Sequence, residues 1–298
     1  MFIVQYRKIF IIISAVLVVI SAVLLFAFGL RPAIDFTGGT LIEVKTDLTS
    51  EPITAAVSEY GDGEVSVRAT DEGYIIRTRD LSPAEIDAVR AGITSLSGGA
   101  EVSRVSTIGP ALGEELLQKA LVSIALVSLG IIVFITLAFW RVSKPVSSWI
   151  YGLVALGTLL HDVVIPAAVF AVLGRFAHVE VDTLFVVALL TVLGYSVHNV
   201  IVVMDRIREN LRVNQESGKH EDFDRTVGKS LMQTYGRSIN TSLTVVIVLL
   251  ALFFLGGTAT EDFALALLIG VAAGAYSSIF FAPPMLVMIE SWGTKKKS

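Results

Sequence analysis

No cysteine occurs among the 298 residues. Disulfides and thiolate metal sites are therefore excluded, redox compartment cannot be read from cysteine usage, and any part outside a membrane must hold together by packing. Histidine is scarce as well, with four. The adjacent pair His161 and Asp162 has no other His or Cys near it in sequence, short of the ligand count zinc requires, so no metal site is expected. Charge is low: 17% of residues are charged, against about a quarter in soluble domains. The net charge of −4 and the lack of a basic stripe exclude nucleic acid as a partner. A GxSxG elbow, a P-loop and an HExxH pair are all missing, which argues against an enzyme; no cofactor is expected.

What is abundant is apolar: 54% of the chain, with a mean hydropathy of +0.74. Lipid is the main solvent. A helix crosses the hydrocarbon with about 20 apolar residues, because it satisfies its own backbone there. Six windows qualify, roughly 9–29, 119–140, 146–173, 183–204, 238–257 and 263–289, with ends good to about 2–4 residues. The first follows Arg7 and Lys8 but is too long for a signal core and has no small-x-small site after it, so it reads as a retained anchor. Basic residues mark cytoplasmic loops. With the N-terminus inside, the inner segments hold Arg7 and Lys8, Arg141 and Lys144, Arg206 through Arg237, and Lys295 to Lys297. The opposite loop at 174–182 has Arg175 against Glu180 and Asp182, and that at 258–262 has Glu261 and Asp262 with no base. Both termini are expected in the cytoplasm. The expected organisation is a cytoplasmic N-terminus and first span at 1–29, an extracytoplasmic domain at 30–118, a five-helix bundle at 119–290 and a basic tail at 291–298.

The 30–118 segment has the composition of a globular domain. Thr40 to Thr46 reads as a strand, and Glu51 to Tyr60 as a helix with Ile53, Ala56, Val57 and Tyr60 on one side. Glu64 to Ala69 and Gly73 to Arg79 form a hairpin around Thr70, Asp71 and Glu72. Ser82-Pro83 opens a second helix, with Glu85 placed for a capping box and Gly98-Gly99 at its end. Ala100 to Ser106 is a last strand. The order β-α-β-β-α-β predicts a ferredoxin-like α+β domain.

Six strings carry a resemblance: IDFTGGT at 34–40, IGPALG at 108–113, LLHD at 159–162, LTVLGYSVHNVIVVMDRIREN at 190–210, RSINTSLT at 237–244 and GVAAGAYSSIFFAPP at 270–284. Together, and in order, they resemble the SecF branch of the SecD/SecF family of protein-export membrane proteins, within the resistance-nodulation-division superfamily. The resemblance implies an inner-membrane bacterial protein that pairs with SecD. It also implies action after the SecYEG channel and the SecA motor, alongside other membrane-insertion factors, on emerging preproteins, drawing on the proton motive force. A half-exporter of the wider superfamily, or a translocase scaffold without its own proton step, is the alternative. SecD is expected to pack on spans four to six, with Gly274 at that interface.

Asp35, Gly38 and Gly39 lie in the family motif after span one. The glycines suit a loop needing permissive dihedrals, and Asp35 suits a cap. Asp162 is costly within a span, by about 2.5–3.5 kcal/mol, and reads either as a proton relay or as a buried hydrogen bond fastening span three to a neighbour. In span four Tyr195 and Asn199 share a helix face, while His198 is turned about 100° away. Asp205 and Arg206, with Arg208 and Glu209, suit a solvated charge network at the span's exit. Arg237, Asn240, Thr241 and Thr244 make one polar stripe on span five. Arg237 suits snorkelling, whereas the resemblance places its counterpart on the proton path. Where SecF proteins usually read GYSVND, this chain reads Gly194-Tyr195-Ser196-Val197-His198-Asn199, and the expected aspartate is Asn199. The charge change then falls to His198, to SecD alone, or to neither. Pro283 and Pro284 kink or end span six.

Overall fold

The computed structural model describes residues 2–58, 60, 65–70, 72–96, 99–138, 146–218 and 221–295. Glu64, Asp71, Gly98, Arg141, Lys144, Lys296 and Lys297, used above, lie outside them. The elements in order are α1 (Phe2–Gln5), α2 (Arg7–Phe28), α3 (Ile34–Thr37), β1 (Gly39–Lys45), α4 (Ser50–Ser58), β2 (Ser66–Thr70), β3 (Gly73–Thr78), α5 (Pro83–Thr94) and β4 (Glu101–Ile108). The long helices follow: α6 (Pro110–Ala138), α7 (Ser148–Phe176), α8 (Thr183–Glu216), α9 (Phe223–Leu255), α10 (Thr258–Phe280) and α11 (Ala282–Lys295). The chain forms two compact units, one of Met1–Leu30, Ser123–Leu173 and Val187–Ser298, the other of Arg31–Val122 and Gly174–Val186.

In the second unit the sheet order is β2-β3-β1-β4 with every neighbouring pair antiparallel. With the helices α4 and α5 as crossovers, this is the ferredoxin-like arrangement expected from the element order. Alternation along β1 buries Thr40, Ile42 and Val44, and Ile42 and Val44 join Ile53, Val57, Ile76, Val89 and Ile93 in one core. Two sites of the IDFTGGT string require glycine. Gly38 has φ 75° and a Cβ there would lie 2.7 Å from Pro110 Cα; Gly39 has φ 129° and a Cβ would lie 2.6 Å from the Thr78 carbonyl oxygen. Gly113 packs on the same turn, where a Cβ would meet Gly38 N at 2.8 Å, so the IDFTGGT and IGPALG strings are pressed backbone to backbone. The capping box at α5 forms as its sequence predicts: Glu85 N donates to Ser82 Oγ (3.4 Å) and Ser82 N donates to Glu85 Oε2 (2.8 Å).

Among the described residues, six helices are long and apolar enough to cross a membrane: Arg7–Phe28, Pro110–Ala138, Ser148–Phe176, Thr183–Glu216, Phe223–Leu255 and Thr260–Trp292. Each overlaps one of the six windows. The last is broken at Phe281 (φ −113°, ψ −56°), between α10 and α11. Pro283 and Pro284 occupy the first turn of α11, where a missing N–H leaves no helix bond unmade. In α2 the buried residues are Ser14 and Ser21, while Ile9, Ile12, Val19, Ile20 and Val23 are exposed. This inverts the pattern of a soluble amphipathic helix and is what lipid permits, since small polar groups allow close helix contact and large apolar ones suit hydrocarbon. The bundle core gathers Tyr151, Leu159, Leu193, Met204, Ile207, Leu231 and Leu286, among others.

Candidate functional site

Asp162 sits midway along α7 and is wholly buried, with His161 beside it 1% exposed. Its two oxygens are occupied separately. His161 Nδ1 lies 2.8 Å from Oδ1; Ser196 Oγ of α8 and Ser277 Oγ of α10 both donate to Oδ2, the latter at 2.8 Å. One carboxylate thus joins three helices. Pro166 lies one turn further along α7, and lacking an N–H it leaves the Asp162 carbonyl without its usual partner. The imidazole stacks on two rings, Tyr276 (5.9 Å, 20°) and Phe281 (6.0 Å, 14°), and the Tyr276 hydroxyl is approached by Ser14 Oγ at 3.4 Å. Gly274 leaves room for the acid: a Cβ there would stand 3.4 Å from Asp162 Oδ2 and 3.6 Å from Ser196 Cβ.

The other residues singled out from the sequence are dispersed. Asn199 is 2% exposed, and its Nδ2 has no hydrogen-bond partner among the described residues. Tyr195 donates from its hydroxyl to Ser242 Oγ of α9 (2.8 Å). His198 is exposed on the outer side of α8 and takes no part in the Asp162 cluster. Arg237 is exposed on α9, as are Asn240 and Thr244, so the polar stripe of span five faces away from its own bundle. Gly274 is a correction to the partner-interface expectation. It is buried against α7 and α8 of its own chain rather than presented outward. Asp205 and Arg206 lie in a surface network, with Asp205 3.6 Å from Arg208, and Arg206 donating to Glu209 (2.5 Å) and to Gln233 of α9 (2.6 Å).

A second set of polar contacts ties the second unit together. Asp35 Oδ2 accepts from Thr183 N (3.0 Å) and Thr183 Oγ1 (2.7 Å), capping the first turn of α8. Glu180, nearly buried, pairs with Arg31 (3.3 Å) and with Arg77. Arg31 also donates to Ser66 Oγ (3.0 Å) and to His178 Nδ1 (2.7 Å). His178 is a non-glycine residue at positive φ (55°), held by these contacts. Burial pushes the Arg77 guanidinium down to about 10, helped by Arg31 and Arg68 and opposed by Asp182 and Asp35. It remains charged at neutral pH.

Sequence reasoning singled out Asp162 but not Ser277, Tyr276, Phe281 or Pro166 as its surroundings. Nor did it join Arg31, Arg77 and His178 to Glu180. The strings holding Ser277 and Phe281 were visible as motifs; what they touch was not.

The chain matches the family described as protein export membrane protein SecD/SecF, C-terminal, over residues 89–292, and the SecD/SecF GG motif over 23–47. It is 41% identical to protein translocase subunit SecF of Thermobaculum terrenum over 98% of this chain and 94% of that protein. It is 32% identical to protein translocase subunit SecDF of Bacillus subtilis over 98% of this chain but 38% of that longer protein. Among solved structures it superimposes on SecDF from Thermus, a translocon-associated membrane protein, with a TM-score of 0.83 and 30% identity, covering 98% of this chain and 38% of that one. A SecDF structure in the super-membrane-facing form gives a TM-score of 0.66 at 29% identity, again over 38% of that chain. With a family match over most of its length and close relatives covered nearly end to end, the chain belongs to the SecD/SecF family of protein-export membrane proteins.

Proposed function

We propose that this chain is the SecF-type subunit of a Sec translocase accessory complex in a bacterial inner membrane. It joins a SecD-type partner and couples the proton motive force to late steps of preprotein export, beside the SecYEG channel and SecA. Its role is mechanical and electrostatic, without covalent chemistry of its own. The observation that carries the partnership is the outward stripe of α9. Arg237 stands at the head of the apolar stretch, with Asn240 and Thr244 on the same exposed side, and neither Arg237 nor Asn240 has a side-chain partner among the described residues. Lipid is a poor solvent for a guanidinium and an amide, so another protein surface is the better complement. The fused relatives support the same reading, since this chain spans only 38% of their length.

The proposed topology has both termini in the cytoplasm and residues 30–118 outside. Affinity purification from native membranes should recover a SecD-type subunit, and Arg237→Ala should lower that recovery or abolish gradient-dependent export in vesicles containing the channel and motor. Recovery of the chain alone from wild-type membranes, with export indifferent to its presence, would sink the proposal. Ala69→Cys and Gln215→Cys, both exposed positions, should react with an impermeant thiol reagent from opposite sides. Reaction from the same side overturns the topology.

A further inference from the structure

An acid and a base are buried together inside the membrane-spanning unit, and one nitrogen of the base is left over by the contacts around it. As a tether, Asp162 is complete: Ser196 and Ser277 donate to Oδ2 and His161 Nδ1 faces Oδ1. Those hydroxyls are donors to a common oxygen, the arrangement expected of an ionised carboxylate. The second imidazole nitrogen has no such use. His161 Nε2 is buried and has no hydrogen-bond partner among the described residues, although an unsatisfied buried polar atom costs about 1–3 kcal/mol. An apolar side chain would have avoided that cost in a purely structural helix contact.

We propose that the His161–Asp162 pair is the proton-binding site of this chain, with His161 Nε2 as the atom that takes the proton. The inference rests on the export reading only for what the proton drives. The balance is simple. A proton adds to the Nε2 lone pair while Nδ1 keeps its hydrogen, and the pair passes from carboxylate and neutral imidazole, net −1, to carboxylate and imidazolium, net neutral. Release of the same proton restores the first state, and no other reactant takes part. In a low-dielectric bundle an uncompensated negative charge is the disfavoured member of the two. The stacked rings of Tyr276 and Phe281, about 6 Å away, add a surface attractive to a cation.

The groups facing the pair are few. α8 presents Ser196 and α10 presents Ser277, both neutral, and among the described residues Tyr276 of α10 is the remaining titratable side chain in contact. Asn199 of α8 is an amide that does not titrate in this range, and His198 lies outside the cluster. Proton uptake has a mechanical consequence, because Oδ2 is the point at which α7 holds α8 and α10. An adjacent imidazolium draws the carboxylate charge toward Oδ1, weakens the two serine contacts and frees α8 and α10 to shift.

The test uses the full chain in lipid nanodiscs with 15N-labelled histidine. Four histidines are present, so the His161 signal follows by elimination with His178→Gln, His198→Gln and His220→Gln. The wild-type Nε2 signal should move from the neutral to the protonated position as pH falls across about 8 to 5, the range in which histidine changes charge. Asp162→Asn should change that response, because the carboxylate oxygen facing Nδ1 is gone. A His161 signal that stays unchanged across the range overturns the site without recourse to any variant's folding. In vesicles with the SecD-type partner, channel and motor, His161→Gln should lose the gradient-dependent part of export. Full retention of it, or a requirement for Na⁺ in place of a pH gradient, overturns the site. Wild-type export with no gradient dependence overturns the export reading instead, and the nanodisc titration then decides the site by itself.

Discussion

Asp35 and Thr183 are joined by one carboxylate oxygen that accepts both the backbone N–H and the hydroxyl of Thr183, at 3.0 and 2.7 Å. The contact gives the first turn of α8 an acceptor from α3, a short helix just ahead of the ferredoxin-like sheet, and an anion near a helix N-terminus is favourable. Asp35→Ala should therefore lower thermal stability by about 0.5–2 kcal/mol, the range of lost helix caps. Asp35→Asn, which keeps an acceptor oxygen, should lose less. Equal losses for both in a thermal unfolding series would show that charge, not the cap, holds the turn.

Gly274 tests the packing around Asp162. With a Cβ already at 3.4 Å from the carboxylate, the branched side chain of Gly274→Leu has no space. Overpacking of this kind costs about 1–3 kcal/mol. The expected result is a less stable chain even when it is purified without a partner. Unchanged unfolding of the isolated chain, together with a weakened complex, would return Gly274 to an outward interface.

The α5 cap makes the second unit acid-sensitive at one place. Arg79 and Ser82 hold the Glu85 carboxyl down to about 2 from an ordinary value of 4.5, with Arg79 Nη2 at 2.5 Å. A depressed carboxyl contributes stability that is fully present above the unfolded value and lost as pH falls through the folded one. Amide-exchange protection in the first turn of α5 should hold at neutral pH and fall away between 4.5 and about 2. In Glu85→Gln that loss should be absent, and protection at neutral pH should already be reduced. A pH profile that is the same in both proteins would assign the acid sensitivity elsewhere.

His198 and Asn199 separate two ideas about span four. His198 is exposed on α8, away from Asp162, and His198→Ala should leave gradient-dependent export in reconstituted vesicles unchanged. Asn199 is buried with an unpartnered Nδ2, so Asn199→Asp introduces a second acid into the bundle. Burial disfavours its charged form, and the expected outcome is an altered pH dependence of export, not a simple gain. Loss of the dependence in His198→Ala would make the exposed imidazole the carrier and remove His161 from that role.

The six spans, the element order of the ferredoxin-like domain and the α5 capping box were determined by the sequence alone, because each is set by local physics. A backbone in hydrocarbon satisfies itself over about 20 residues, and alternation or a Ser-x-x-Glu spacing acts within a few residues of itself. Which side of each spanning helix turns inward was decided only by tertiary structure. In water the apolar face marks the core, but in lipid both faces are apolar, and the hydrophobic pattern no longer distinguishes them. So Asp162 was legible as an anomaly, while its bonds to Ser196 and Ser277 were not. Nor were the outward turn of His198 and the inward turn of Gly274. The Arg31–Glu180–Arg77 contacts were hidden for a related reason. They join the ferredoxin-like segment to a short loop more than 100 residues further on, and no local signal in either stretch names its partner.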